Sequence, residues 1–347
     1  MVRFNCDYAE GTHPLILERL LQTNSEQSEV YGLDDHSEKA RTYIKKACAC
    51  PEAEVHFLSG GTQTNLTVID AVLRPYQGII SACTGHINVH ETGAIEATGH
   101  KVLSVPSHNG KLTGEQVLAL CRAHYSDRDR EHTVQPGMIY ISHPSENGTS
   151  YTKTELMDLR RACDEYSLPL YLDGARLGYG LMAPGADLTL EDIAKLCDVF
   201  YIGGTKVGAM FGEAVVITNA RLLRDFRYMI KQCGGMLAKG RMLGIQFEVL
   251  FENGLYFEIS RHAVTLSAKL KNACLDCGCP LLYETTANQL FPILPNNAIK
   301  KLQEKYIFFP WENIDDGHSA VRLCTSWATL TENVDAFISD LMKTLAE

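Results

Sequence analysis

The sequence predicts an α/β fold, with a mostly parallel, seven-stranded sheet and helices between its strands, followed by a smaller C-terminal α+β domain. Three observations predict it. Short apolar runs alternate with helix-like segments through the first two thirds of the chain, the pattern of βα units. The texture changes after Gly234-Gly235, where a long helical stretch takes over. A length of 347 residues with 45% hydrophobic composition suffices for one large domain and a smaller one.

Taken in order, residues 1–28 read as an N-terminal arm with one helix at "PLILERLLQ" (14–22), available to pack on a partner subunit. Residues 29–240 make the large domain. Its strands are "VHFLS" (55–59), "GIISAC" (78–83), "KVLSV" (101–105), "MIYIS" (138–142), "LPLYL" (168–172), "DVFYI" (198–202) and "EAVVI" (213–217). Among the intervening helices, "TKTELMDLRRACDEY" (152–166) opens with Thr152 and carries Glu155 three residues on, a capping box. Residues 241–347 hold the long connecting helix, part of a helical stretch near 238–277, and the small domain. The latter has strand candidates "NQLFPIL" (288–294) and "AVRLCTSW" (320–327) and a closing amphipathic helix from Thr331. There is no repeat period and no low-complexity tract.

With 42 acidic against 32 basic residues and a net charge of -10, the surface as a whole repels phosphate backbones and anionic lipid. The opening "MVRFNCDYAEGTHP" has no apolar core of a signal peptide, and no later apolar run has membrane-spanning length. A cytoplasmic protein without nucleic-acid or membrane partners is expected. The twelve cysteines are scattered through core-like segments, so free thiols are expected. The cluster Cys274, Cys277 and Cys279, with Cys48 and Cys50 upstream, lacks a second CxxC pair or a nearby histidine, and no metal is assigned.

Three stretches carry chemistry. In "FLSGGTQTNL" (57–66) a strand breaks at Gly60-Gly61 into a polar helix start with Thr62, which reads either as a tight turn or as a phosphate cradle. In "LPLYLDGARLGYG" (168–180) an apolar strand delivers Asp173, and burying a lone carboxylate costs several kcal/mol unless a charge or donors meet it. Arg176, three residues on, is one candidate partner. In "DVFYIGGTKVGAMFGEA" (198–214) Lys206 follows two glycines among small residues; it is either a loop lysine or a poorly solvated amine able to form a Schiff base. Taken together, Asp173 and Lys206 suit pyridoxal 5'-phosphate, with the carboxylate beneath the ring nitrogen and the amine on the aldehyde.

These motifs, with "GHINVHETGAIEATGHKV", "YLDGARLGYGL", "GGTKVGAMFGEAVV", "VYGLDDHS" (30–37) and "VRLCTSWA" (321–328), resemble the low-specificity threonine aldolases. The resemblance runs in order over nearly the whole chain and implies a fold-type I pyridoxal phosphate enzyme in the β-eliminating-lyase branch. It implies Lys206 as the Schiff-base lysine, Asp173 as partner of the pyridine nitrogen, and Gly60, Gly61, Thr62 and Thr205 as phosphate contacts. It implies His86 on the ring face, Arg176 and Arg322 on the substrate carboxylate, and Tyr31 in an arm reaching an active site shared between subunits of a homodimer or homotetramer. The expected reaction is cleavage of L-threonine or L-allo-threonine to glycine and an aldehyde. A β-elimination releasing ammonia and a 2-oxo acid uses the same residues, and a non-catalytic binder on the same scaffold is the third reading.

Three departures from the family pattern stand out. A segment with a second histidine reads "HPSENG" (143–148) here and places Glu146 in that slot, so Glu146, His86 or water must handle the β-hydroxyl proton. The N-terminal serine-bearing segment is replaced by "NCDYAEGTHP", and "GGMLAKG" (234–240) leaves Lys239 as a phosphate partner implied only by position.

Overall fold

The computed structural model describes residues 1–219, 221–222 and 224–346. The seven apolar runs form one sheet in the order Glu54–Leu58, Glu213–Ile217, Val199–Gly203, Leu170–Asp173, Gln135–Ser142, Gln77–Ala82, Lys101–Val105. Neighbours from Val199–Gly203 to Lys101–Val105 are parallel, whereas Glu213–Ile217 is antiparallel to both of its neighbours.

Parallel strands joined by helical crossovers are covered on both faces, and the sequence shows it as continuous apolar runs. Alternate residues serve opposite cores. Leu170, Leu172, Phe200 and Ile202 join one cluster with Ile44, Leu159, Phe247 and Ile259, while Tyr171, Val199 and Tyr201 join the other with Val68, Ile69, Phe226 and Ile230. The helix Lys153–Glu165 begins as the capping box requires, with Thr152 accepting from the Glu155 N–H and Glu155 from that of Thr152.

The register carries function. Ser142 pairs with Asp173, and Gly203 with Glu213, so the carboxyl ends of the parallel strands and the start of the antiparallel one lie along one edge. In parallel α/β sheets that edge is where ligands bind.

Two features differ from the sequence expectation. The single helix over 238–277 is in fact two, Arg241–Glu252 and Leu255–Asp276, broken at Gly254, whose φ of 75° is left-handed and cannot continue a right-handed helix. The first residues are also tied to their own chain. Val2–Arg3 pairs with Tyr306–Ile307, Phe4 is fully buried against Phe337, and Ile16 of the helix Pro14–Thr23 is fully buried in the large core.

The C-terminal part is a small antiparallel sheet, Ile293–Pro295 and Phe309–Asn313 flanking His318–Cys324. The helix Thr331–Ala346 buries Val334, Phe337 and Leu341 beneath it. Among the described residues no helix is long and apolar enough to cross a membrane, and no group of three or more His, Cys, Asp or Glu could hold a metal ion. All twelve cysteines are free.

Candidate active site

At the carboxyl edge of the sheet lies a cavity of about 320 Å³, lined by Gly60, Gly61, Thr62, His86, Glu146, Asp173, Arg176, Thr205 and Lys206, together with Tyr8 and Glu213. Residues spread over about 200 positions meet there, most of them at the end of a strand or in the turn or helix that follows one.

Asp173 forms the floor and is 4% exposed. Its carboxylate accepts from the hydroxyls of Tyr140 (2.6 Å) and Tyr201 (2.5 Å), from Asn65 Nδ2 (3.1 Å) and from the Ala175 N–H (3.0 Å). Burial works to raise its pKa, but the charge on His86 and these donors outweigh it and hold the group below the ordinary carboxylate value. Arg176 is not among its partners. The guanidinium forks onto Asp7 instead, Nε to Oδ2 at 2.7 Å and Nη2 to Oδ1 at 2.9 Å, and Asn288 Nδ2 also donates to Asp7 at 2.8 Å.

Lys206 lies one turn beyond the strand Val199–Gly203, with its Nζ 5.7 Å from the centre of the Tyr8 ring. Burial and the nearby Arg176 push its pKa down, opposed by Asp7, Asp173 and Glu213. The last of these is a site residue that the sequence reading missed. Glu213 accepts from the Gly204 N–H (3.0 Å) and Thr205 Oγ1 (2.8 Å), and burial raises its pKa to about 7. Thr205 Oγ1 in turn accepts from the Gly212 N–H (3.0 Å), so its hydroxyl is already engaged on both sides.

Gly60 and Gly61 open the twelve-residue helix Gly61–Val72, and no side chain caps it. A Cβ at Gly61 would come 3.2 Å from the Tyr201 hydroxyl, a tight contact that glycine avoids where the helix start approaches the floor. Free N–H groups and the positive end of a helix dipole favour an anion there.

His86 begins the short helix His86–Val89. Its backbone N–H donates to Glu146 Oε1 (2.9 Å), which also accepts from Ser142 Oγ (2.6 Å). Burial and the charge on Asp173 raise the pKa of Glu146, against the Ser142 hydrogen bond. The imidazole Nδ1 of His86 lies 2.7 Å from Glu91 Oε1. Burial lowers the pKa of His86, but Glu91 and Asp173 outweigh it and raise it overall. Glu91 was also missed, although a buried acid in "HINVHETG" was the available signal. His143, in the segment of Glu146, is no substitute base: burial lowers its pKa to about 4, and its Nδ1 accepts from the Tyr151 N–H.

Three expected residues lie outside this cavity. Arg322 projects from the strand His318–Cys324, donating from Nη2 to the Asn5 carbonyl (3.0 Å) with its guanidinium 5.5 Å from the centre of the Trp311 ring; its buried Nε has no partner. Tyr31 lines a separate surface pocket with Arg41, Arg227 and Gly240, its ring 5.1 Å from Lys231 Nζ. Lys239 lines neither.

The donor set fits one kind of ligand: a phosphate at the open helix start, a cationic ring nitrogen over Asp173, and a carbonyl within reach of Lys206.

Comparison with known proteins points the same way. The beta-eliminating lyase family model matches residues 7–297. A low specificity L-threonine aldolase from Pseudomonas sp. (strain NCIMB 10558) is 28% identical, over 98% of this chain and 96% of that one. A solved Leishmania major threonine aldolase is 45% identical, with a TM-score of 0.96 over 99% of this chain and 100% of that one. Aspartate aminotransferase from Thermus thermophilus, 15% identical with a TM-score of 0.71, covers 99% of this chain and 91% of that one, and shares the fold.

Proposed function

This chain belongs to the beta-eliminating lyase family, and on that footing we propose that it is a pyridoxal phosphate enzyme cleaving L-threonine, L-allo-threonine and related β-hydroxy-α-amino acids to glycine and an aldehyde. One observation carries the reading: a buried, poorly solvated amine, Lys206, shares a cavity with a buried anion, Asp173, in a chain 45% identical to a threonine aldolase.

When bound, the cofactor supplies an electron sink for the bonds of the substrate α-carbon. Lys206 holds its aldehyde, Asp173 keeps its ring nitrogen protonated, and the N–H groups at Gly61 and Thr62 with the Thr62 hydroxyl hold its phosphate. Thr205, whose hydroxyl bonds Glu213 and whose N–H bonds the Gly212 carbonyl, fixes the loop that carries Lys206. Arg322, with a donor to spare, takes the substrate carboxylate. Arg176, already forked onto Asp7, supports that end of the site as part of a buried ion pair. Holding the carboxylate orients the Cα–Cβ bond for cleavage.

His86 accepts the β-hydroxyl proton at the ring nitrogen not engaged by Glu91. Glu146 is the less available acceptor, because one of its oxygens already accepts two hydrogen bonds. We place the active site at an interface between copies of the chain, with Tyr31 serving the neighbouring copy, in a cytoplasmic homodimer or homotetramer. Its three parts are the segment 1–28, the cofactor-binding domain 29–240 and the C-terminal part 241–347.

The test is product analysis with the four threonine stereoisomers and phenylserine. Glycine with an aldehyde from an L-isomer is expected. Ammonia with a 2-oxo acid, and no glycine, would replace this reading with β-elimination, and cofactor binding without any turnover would leave only a binder.

A further inference from the structure

A buried chain of polar groups runs beneath His86. Asn65 Nδ2 donates to Asp173 Oδ2 (3.1 Å) and to Glu91 Oε1 (2.6 Å), and the same Glu91 oxygen lies 2.7 Å from His86 Nδ1. Tyr171 fixes the amide of Asn65 by donating to its Oδ1 at 2.7 Å. The side chain of Glu91 is fully buried, and its second oxygen, Oε2, has no hydrogen-bond partner.

A buried carboxylate oxygen without a donor is costly. Nothing in the packing of the loop between His86–Val89 and Ala94–Ala97 requires a charge there, and a glutamine would satisfy Asn65 equally well. The group that gains from a charge is the imidazole. A carboxylate against Nδ1 fixes the neutral ring with its proton on Nδ1 and leaves the Nε2 lone pair free, and it stabilises the cation once Nε2 takes a proton.

We propose that Glu91 is the positioning residue for His86: it sets the Nδ1–H tautomer, leaves Nε2 as the acceptor facing the cavity, and through Asn65 ties the charge of that histidine to Asp173 beneath the cofactor ring. This deepens the aldolase reading and rests on it for its catalytic meaning. In the reaction the β-hydroxyl proton passes to Nε2, His86 becomes an imidazolium held by Glu91, and the proton leaves again from Nε2. Asn65 gives both side chains a common hydrogen-bond donor.

The other groups facing His86 act in both directions. Asp173, two strands over from Gln77–Ala82, favours the cation. Lys206, from the loop after Val199–Gly203, and His90, one turn along the same helix with its ring centre 5.6 Å away, oppose it. Glu146 hydrogen-bonds only to the backbone N–H, but its charge also faces His86 and favours the cation. Removing the charge of Glu91 therefore leaves Asp173 as the main support for the imidazolium.

The test is histidine nitrogen and carbon NMR on the full chain, with and without pyridoxal phosphate, the His86 signal being assigned by its loss in H86N. In the unaltered protein the neutral ring should show the Nδ1–H tautomer and a titration midpoint above the ordinary imidazole value. In E91Q, whose amide oxygen can still accept from Nδ1, the tautomer should persist while the midpoint falls by about one pH unit or more. The acid limb of the kcat/KM profile should move down with it, and kcat should fall by about tenfold or more with little change in KM. An Nε2–H tautomer in the unaltered protein, or a midpoint unmoved in E91Q, would overturn the proposal. The tautomer measurement decides the matter even if E91Q does not fold. Because the NMR readouts need no substrate, they fail or succeed separately from product analysis.

Discussion

Asp7 and Arg176, 169 residues apart, form a two-pronged ion pair at the wall of the candidate cavity, with Asp7 fully buried and the Arg176 side chain 13% exposed. The pair joins the start of the chain to the loop after the central strand. Asp7 is held below the ordinary carboxylate value, since Arg176 and Lys206 together outweigh its burial.

Removing one half of a buried pair leaves the other charge uncompensated, which costs roughly 3 kcal/mol or more. Asp7→Asn is therefore expected to lower stability by about that amount, measured by urea unfolding at pH 7. A variant as stable as the parent would mean that Arg176 finds another anion.

Arg322 carries the free donor, so it should bear the substrate carboxylate. Arg322→Gln is expected to raise KM by about tenfold or more, the worth of a hydrogen bond to a charged group, while the absorbance of bound cofactor stays unchanged. An unchanged KM would move the carboxylate to Arg176 and require Asp7 to release it.

Glu213 makes stability depend on pH in a known direction. Its folded-state pKa, about 7, lies above the ordinary 4.5, so the folded chain binds the extra proton. The stability this gives is complete below pH 4.5 and is lost as pH rises through 7, amounting to at most roughly 3 kcal/mol. Cofactor-free protein should therefore lose stability between pH 5 and pH 8 by more than its Glu213→Gln variant does, compared by unfolding at both pH values. Parallel curves for the two proteins would show Glu213 ionised throughout.

His86 and Glu146 differ in how much their charge matters. His86→Asn is expected to lower kcat by about a hundredfold or more, whereas Glu146→Gln should lower it by less than about tenfold, because an amide oxygen accepts the same two hydrogen bonds. Single-turnover measurements with an L-isomer would separate them. The reverse order would assign the β-hydroxyl proton to Glu146.

Asp173, Lys206 and the Gly60-Gly61 turn could be singled out from the sequence because each follows an apolar strand or begins a polar helix, whereas His86 was indicated only by the family resemblance. Local pattern marks such strand-end positions without fixing their roles. It likewise marks all seven strands of the large sheet and the capping box at Thr152. Glu213 was visible only as the first letter of "EAVVI", since a charged residue opening a strand looks like a solvated edge. What makes it a site residue is the antiparallel pairing that sets it opposite Gly203, beside Lys206. Asn65 and Glu91 were hidden for a similar reason, being polar residues in helical or loop segments that meet only once the sheet orders their neighbours.

The sequence by itself determined the α/β class, the strands, the buried amine and the buried acid, because periodicity and burial are local properties of short segments. Only the tertiary structure decided which charges meet: Arg176 with Asp7 rather than Asp173, Glu91 with His86, and Glu213 with the loop of Lys206. Ion pairs and hydrogen bonds act over a few ångströms in space, and which residues come that close is set by strand order and register, which no short stretch of the chain contains.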